Sequence, residues 1–263
     1  MGGRVRVERD AADGRLGWIV FDHPERRNAI GTEMWRQIPA AVDELERDAE
    51  VRVVLLRGEG ETAFVAGADI SEFGEMRTGA SAARYDVEGA HAFAALAGLS
   101  KPLVAMIHGY CVGGGVAIAL CADLRYAAED ARFAIPAARL GLGYHVSGIE
   151  MLQQLVGPSR AKEIFFTARR YSAAEAYDIG LVNAVLPAPD LEAHVRDTAL
   201  SIASNAPLTV RSVKRIVSEL AKPEAKRDLD AANASIRECF ESDDYREGVQ
   251  AFLEKRPPRF QGR

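Results

Sequence analysis

The segment His108-Gly109-Tyr110-Cys111-Val112-Gly113-Gly114-Gly115-Val116-Ala117 decides the reading of the fold. An apolar run before it, Pro102 to Ile107, reads as a strand, and a helical pattern runs from Gly113 to Cys121. A second segment, Phe64-Val65-Ala66-Gly67-Ala68-Asp69-Ile70, likewise places small residues between a buried strand and a helix start. Glycine lets backbone approach a ligand closely. The N–H groups left free at a helix N-terminus point at such a ligand, and the helix field favours negative charge there. Two N–H groups converging from two junctions make an oxyanion hole. A triple glycine taken alone reads equally well as close packing of strand on helix.

Outward from these junctions the chain alternates. Trp18 to Phe21 reads as a strand ending in the turn Asp22-His23-Pro24, and Val51 to Leu56 as a buried, parallel strand. Thr32 to Asp48 carries Trp35, Ile38, Val42 and Leu45 at helical spacing. Pro39 within it predicts a kink or a late start, because proline costs about 3 kcal/mol in a helix interior. Ser81 to Leu99 reads as helix and Leu124 to Ala127 as strand. Strand–helix alternation implies an α/β fold with parallel pairs. Ser147-Gly148-Ile149-Glu150 and Ser172-Ala173-Ala174-Glu175 both match the S-x-x-E capping box, the second ending at Gly180. Asn205-Ala206-Pro207 opens a helix whose apolar face is Val213, Ile216, Val217 and Leu220, and Asp244 to Glu247 opens a last one ending before Pro257-Pro258. From about residue 200 only helices are predicted.

Composition narrows the function. With 33 Lys and Arg against 38 Asp and Glu, the net charge of −5 argues against a general nucleic-acid binder. Cys111, Cys121 and Cys239, an odd count with no CxxC pair, predict no disulfide framework or zinc ribbon and a reducing, cytoplasmic compartment; Cys111 and Cys121 sit in apolar runs and read as packing residues. No run approaches the ~20 apolar residues of a membrane span, and no signal peptide is evident. No metal-ligating pair, GxGxxG or GxxxxGK[ST] is present, so no metal, dinucleotide or NTP is predicted.

Arg27-Asn28-Ala29-Ile30, Ala66 to Ile70, Lys101-Pro102 through Gly115, Asp123-Leu124-Arg125, Ala161 to Ile164, Ala176 to Asn183 and Phe252 to Arg256 together resemble the crotonase, or enoyl-CoA hydratase/isomerase, superfamily over nearly the whole chain. The resemblance implies a right-handed spiral of ββα turns, here residues 1–198, and a helical C-terminal trimerisation region, 199–263. It implies a lyase or isomerase of fatty-acid metabolism, assembled as a homotrimer or as a hexamer of two trimers. The ligand would be an acyl-CoA thioester, with coenzyme A part of the substrate and no permanently bound cofactor. By residue match, the Ala68 and Gly114 N–H groups would hold the thioester oxygen. Arg27, Ala29, Ala66 and Ile70 would line the coenzyme A site. Phe252 and Lys255 would reach the coenzyme A of a neighbouring subunit.

The family's hydratases carry two glutamates, one three residues after the middle glycine and one after the proline of F-x-x-P-E. Those positions here are Ala117 and Ala137. The segment Leu142-Gly143-Tyr144-His145-Val146 offers a replacement. Related members place a catalytic aspartate at about the position of His145, and a neutral imidazole can act as a base near pH 7. Tyr144 could orient substrate or donate a proton. A structural loop histidine is the competing reading. His91, Glu72 and Glu75 rank below, His108 reads as structural, and His23 and His194 as surface residues. Asp69 reads as a helix cap and Glu150 as the distal member of its capping box. An enzyme with a nonstandard acid–base group and a catalytically silent acyl-CoA-binding protein both remain open.

Overall fold

A computed structural model describes residues 2–69 and 79–263, the side chains of 79–85 excepted. The chain runs β1 (Arg4–Arg9), β2 (Leu16–Asp22), α1 (Thr32–Arg47), β3 (Val53–Gly58), β4 (Ala63–Val65) and α2 (Gly79–Gly98). It continues through β5 (Leu103–Ile107), β6 (Tyr110–Val112), α3 (Gly114–Cys121), β7 (Leu124–Ala128), β8 (Arg132–Ala134) and α4 (Val146–Thr167). The last part comprises β9 (Tyr171–Ser172), α5 (Ala173–Asp178), β10 (Ala184–Leu186), α6 (Leu191–Ala203), α7 (Pro207–Ala221), α8 (Leu229–Glu241) and α9 (Asp243–Glu254).

The strands form two sheets, in the orders β1-β2-β3-β5-β7-β10 and β4-β6-β8-β9. Successive turns of the spiral give one strand to each sheet and then a helix: β3 and β4 before α2, β5 and β6 before α3, β7 and β8 before α4. Every pair in the larger sheet except β1–β2 is parallel. Its central strands read as unbroken apolar runs because both faces are covered. Ile19, Phe21, Val54, Leu56, Ala105 and Ile107 enter the main core, while the alternate residues Trp18, Val20, Leu55, Val104 and Met106 meet Leu191, Val195, Ala199 and Ala203 of α6. The boundary expected at 198/199 therefore falls inside a helix packed on the sheet.

Buried cations close two helix ends. The Lys101 ammonium donates to the carbonyls of Leu45 (2.5 Å) and Asp48 (2.6 Å) at the end of α1. The Arg125 guanidinium donates to Ala119 and Ala122 at the end of α3 and to Leu181. Each satisfies carbonyls that a helix leaves orphaned, where the helix field welcomes positive charge.

Some local expectations yield to packing. α1 begins at Thr32 and runs through Pro39, with no late start. Burying Met34, Trp35, Ile38, Val42 and Leu45, at about 1.5–3 kcal/mol for a large side chain, outweighs the ~3 kcal/mol cost of proline. Ser172 and Glu175 form the complete capping box, with Gly180 beyond the helix at φ 78°. Ser147 and Glu150 do not: α4 starts a residue earlier, His145 occupies the N-cap position, and no side chain caps it. The Tyr144 ring is seated over Gly148, so close that a Cβ there would lie 2.8 Å from it, and this contact sets the entry to α4. His23 and His194 are half-buried rather than surface residues: His23 Nδ1 pairs with the Ala29 carbonyl at 3.1 Å, and His194 packs edge-on to Tyr126.

The three consecutive glycines have separate jobs. Gly113 has φ 53°, in the region that favours glycine. A Cβ on Gly115 would collide with the Val65 carbonyl of β4, whereas one on Gly114 would make ordinary contact with Trp35 at 3.5 Å. Gly115→Ala is therefore expected to lose about 3 kcal/mol, at the upper end of overpacking costs, and Gly114→Ala less than about 1 kcal/mol. Urea unfolding of the two variants checks this; equal midpoints would refute the division.

Candidate active site

Ile30 bridges Ala68 in parallel register: Ile30 N–H donates to Gly67 O (2.8 Å) and Asp69 N–H to Ile30 O (2.9 Å). In a parallel bridge the residue between those two groups turns its own N–H and C=O the other way. The Ala68 N–H therefore faces away from Ile30. Gly67, at φ 107°, supplies the backbone conformation that this turn requires. The loop carrying Ile30 is itself fixed. Arg27 and Asn28 are both left-handed, Arg27 O accepts from Ala66 N–H (3.1 Å), and the buried Asn28 amide donates to Ala63 O (2.7 Å) and Glu59 O (3.0 Å).

Gly114 is the first residue of α3, so its N–H belongs to the orphaned first turn. A Cβ placed on Gly114 would lie 3.8 Å from the Ala68 nitrogen. The two backbones are adjacent, and both line one cavity of about 200 Å³. Two neighbouring peptide donors there can hold an oxygen that gains negative charge, and apolar surroundings strengthen such donors.

The walls are mostly apolar: Trp35 and Phe93 meet edge to face at 5.1 Å, with Ile135, Leu140, Leu142 and Met151 around them. Ala117 and Ala137 both line the cavity and are buried. The ionisable side chains among its described lining are Asp86, Tyr144 and His145. Tyr144 Oη lies 3.5 Å from the Gly113 carbonyl, and burial pushes its phenol up to about 12. It stays protonated at neutral pH, so it can donate a hydrogen bond but does not serve as a base. His145, exposed at the mouth, has Nε2 3.3 Å from Asp86 Oδ1.

Of the residues singled out in the sequence, the cavity brings together Ala66, Ala68, Gly114, Tyr144 and His145, and Asp86 lines it beside them. Arg27 and Ala29 stand behind it, in the loop that supports Ala66, with the Arg27 guanidinium over Tyr110 at 4.9 Å. Phe252, 84% exposed, and Lys255, the left-handed C-cap of α9, belong to the C-terminal helices and not to this cavity. Ile70, Glu72 and Glu75 lie outside the described residues, as does the helix that Asp69 was expected to cap. His91 is exposed on α2 and absent from the described lining. His108 is half-buried at the end of β5, and desolvation lowers its pKa. Asn28 and Asp86 were missed. A signal for the first existed, since asparagine tolerates left-handed backbone better than most residues.

Residues 12–263 match the family model described as enoyl-CoA hydratase/isomerase. The chain is 35% identical to the short-chain-enoyl-CoA hydratase of Clostridium acetobutylicum over 93% of each chain, and 33% identical to the crotonyl-CoA hydratase of Syntrophomonas wolfei over 94% of each. Its fold matches the crystal structure of an enoyl-CoA hydratase/carnithine racemase from Magnetospirillum magneticum with a TM-score of 0.91 at 32% identity, over 98% of this chain and 96% of that one. By this match over residues 12–263 and by its fold, the chain belongs to the enoyl-CoA hydratase/isomerase family.

Proposed function

We propose that the protein is a lyase or isomerase acting on an acyl-CoA thioester through an enolate, whose oxygen is held by the N–H groups of Ala68 and Gly114. The adjacency of those two donors in one cavity carries the reading. The apolar walls suit an apolar acyl group, each buried methylene contributing about 0.8 kcal/mol. Coenzyme A enters with the substrate and no resident cofactor is invoked. Arg27, Ala29, Ala66 and Ile70 would hold it, joined by Phe252 and Lys255 of a neighbouring subunit in a trimer or hexamer built on residues 199–263. The exposed apolar side chains of α7 to α9, among them Val213, Val217, Phe240, Phe252 and Leu253, support that assembly. No described helix is long and apolar enough to cross a membrane, and a cytoplasmic site of action fits this.

The acid–base group is nonstandard in this reading. Alanine at 117 and 137 exchanges no protons, and such a group contributes roughly 10²–10⁴ in rate. His145 takes the role, with Tyr144 as a neutral donor that orients the substrate. A silent acyl-CoA-binding protein is the second reading, favoured by those same two alanines in the cavity wall.

Calorimetry with butyryl-CoA and crotonyl-CoA should show binding; a folded protein giving no heat with either would refute both readings. Gly114→Pro removes one donor at a first-turn position where proline is tolerated, and turnover on the true substrate should fall about 10²–10³-fold. Hydration of crotonyl-CoA should be far slower than in a two-glutamate relative. His145→Ala should abolish most remaining turnover and leave coenzyme A binding intact; hydration of crotonyl-CoA by the wild type at hundreds per second would overturn the placing of Ala117 and Ala137 at the two glutamate positions. Sedimentation should give a trimer or hexamer, and a monomer at micromolar concentration would exclude the action of Phe252 and Lys255 across subunits.

A further inference from the structure

We infer that Asp86 and His145 form a working pair across the cavity mouth, with Asp86 a positioning residue that sets which imidazole nitrogen is free to take a proton from the substrate's α carbon. The inference rests on the enolate reading above and names the partner that reading lacks. α2 turns Asp86, Gly89, Ala90 and Phe93 toward the cavity, a spacing of three, four and seven that marks one helical face. Two residues on, Glu88 is off that face and is bonded to Arg36 of α1 at 3.1 Å. Asp86 is consequently the charged side chain that α2 presents to the cavity among the described residues. Its salt-bridge partner there is His145, Nε2 to Oδ1 at 3.3 Å, delivered from the loop that leads into α4.

A neutral imidazole has one protonated nitrogen and one lone pair, and the hydrogen bond made by the first decides which is which. With Nε2–H directed to Asp86, the lone pair sits on Nδ1. In the step proposed, Nδ1 takes the proton from the α carbon. The C–H electron pair becomes the carbon–carbon π bond of the enolate, and the thioester carbonyl pair moves onto the oxygen facing Ala68 and Gly114. Asp86 neutralises the imidazolium so formed. Return of the proton from Nδ1 to carbon restores both partners, so the step is balanced without any co-reactant. Both side chains are exposed, and exposed pairs add little to stability, so substitution reports on chemistry rather than on folding.

The test is deuterium wash-in at the α carbon of butyryl-CoA in D2O, followed by NMR, with binding of the same thioester measured by calorimetry. Wild-type protein should exchange, and His145→Ala should lower the exchange rate at least 100-fold. Asp86→Asn should lower its kcat at least 10-fold while KM and Kd stay within twofold, and Asp86→Glu should restore most of it. The double variant should be no slower than His145→Ala, because the pair acts as a unit. Wild-type rate in Asp86→Asn, with His145→Ala inactive, overturns the pair and leaves the enolate reading standing. An unchanged rate in His145→Ala overturns the role of His145 and the pair together. Binding without exchange in the wild type overturns the pair along with the enolate step.

Discussion

One backbone bridge governs the site. By accepting from Asp69 and donating to Gly67, Ile30 forces the peptide of Ala68 to face the opposite direction. The catalytic side chains of most sites can rotate, but this donor cannot turn without breaking two main-chain hydrogen bonds. Its fixity is inherited from further back. Asn28 ties the same loop to the carbonyls of Glu59 and Ala63, on either side of the turn between β3 and β4. The second donor has a different foundation, the collision limit between Gly115 and Val65 that holds α3 hard against β4. Preorganised dipoles of this kind need not reorient as charge develops, which is where their catalytic value lies.

Residue types whose meaning is local could be read from the sequence. The apolar runs around β3 and β5, the box at Ser172 and Glu175, and the two small-residue junctions all announce themselves within a few positions. Ser147 shows the limit. Its pattern is as good as that of Ser172, yet the seating of Tyr144 over Gly148 determines where α4 begins. Asp86 shows another: it lies 59 positions from His145 in the chain, and no local spacing connects them. Lys101 carried the family resemblance without showing its task, because capping a helix that ended more than 50 residues earlier is a tertiary event. Val213, Val217 and Leu220 formed a convincing apolar face, and the single chain leaves them exposed.

The cavity is also notable for how charge is distributed in it. Burial keeps the Tyr144 phenol neutral, and the alanines at 117 and 137 contribute no charge. Among the described residues, the lining side chains that can carry charge at neutral pH, Asp86 and His145, stand at the mouth, and the peptide groups of Ala68 and Gly114 lie further in. In a low-dielectric interior those dipoles act more strongly than in water. In the function proposed above, stabilisation of an oxygen and transfer of a proton would fall to different places, one deep and the other at the rim.

The larger sheet lists its strands in the order the chain supplies them, β1-β2-β3-β5-β7-β10, with each new strand joining the edge just completed. Parallel pairing is usually slow, since distant segments must meet before any contact rewards them. Here the nascent chain always meets a finished edge as its template, so synthesis from the N-terminus and growth of the sheet proceed in the same direction. The helices α7 to α9 follow every described strand in the chain and so leave the ribosome after them. The apolar surface they expose is therefore presented only after the strands of both sheets have been synthesised.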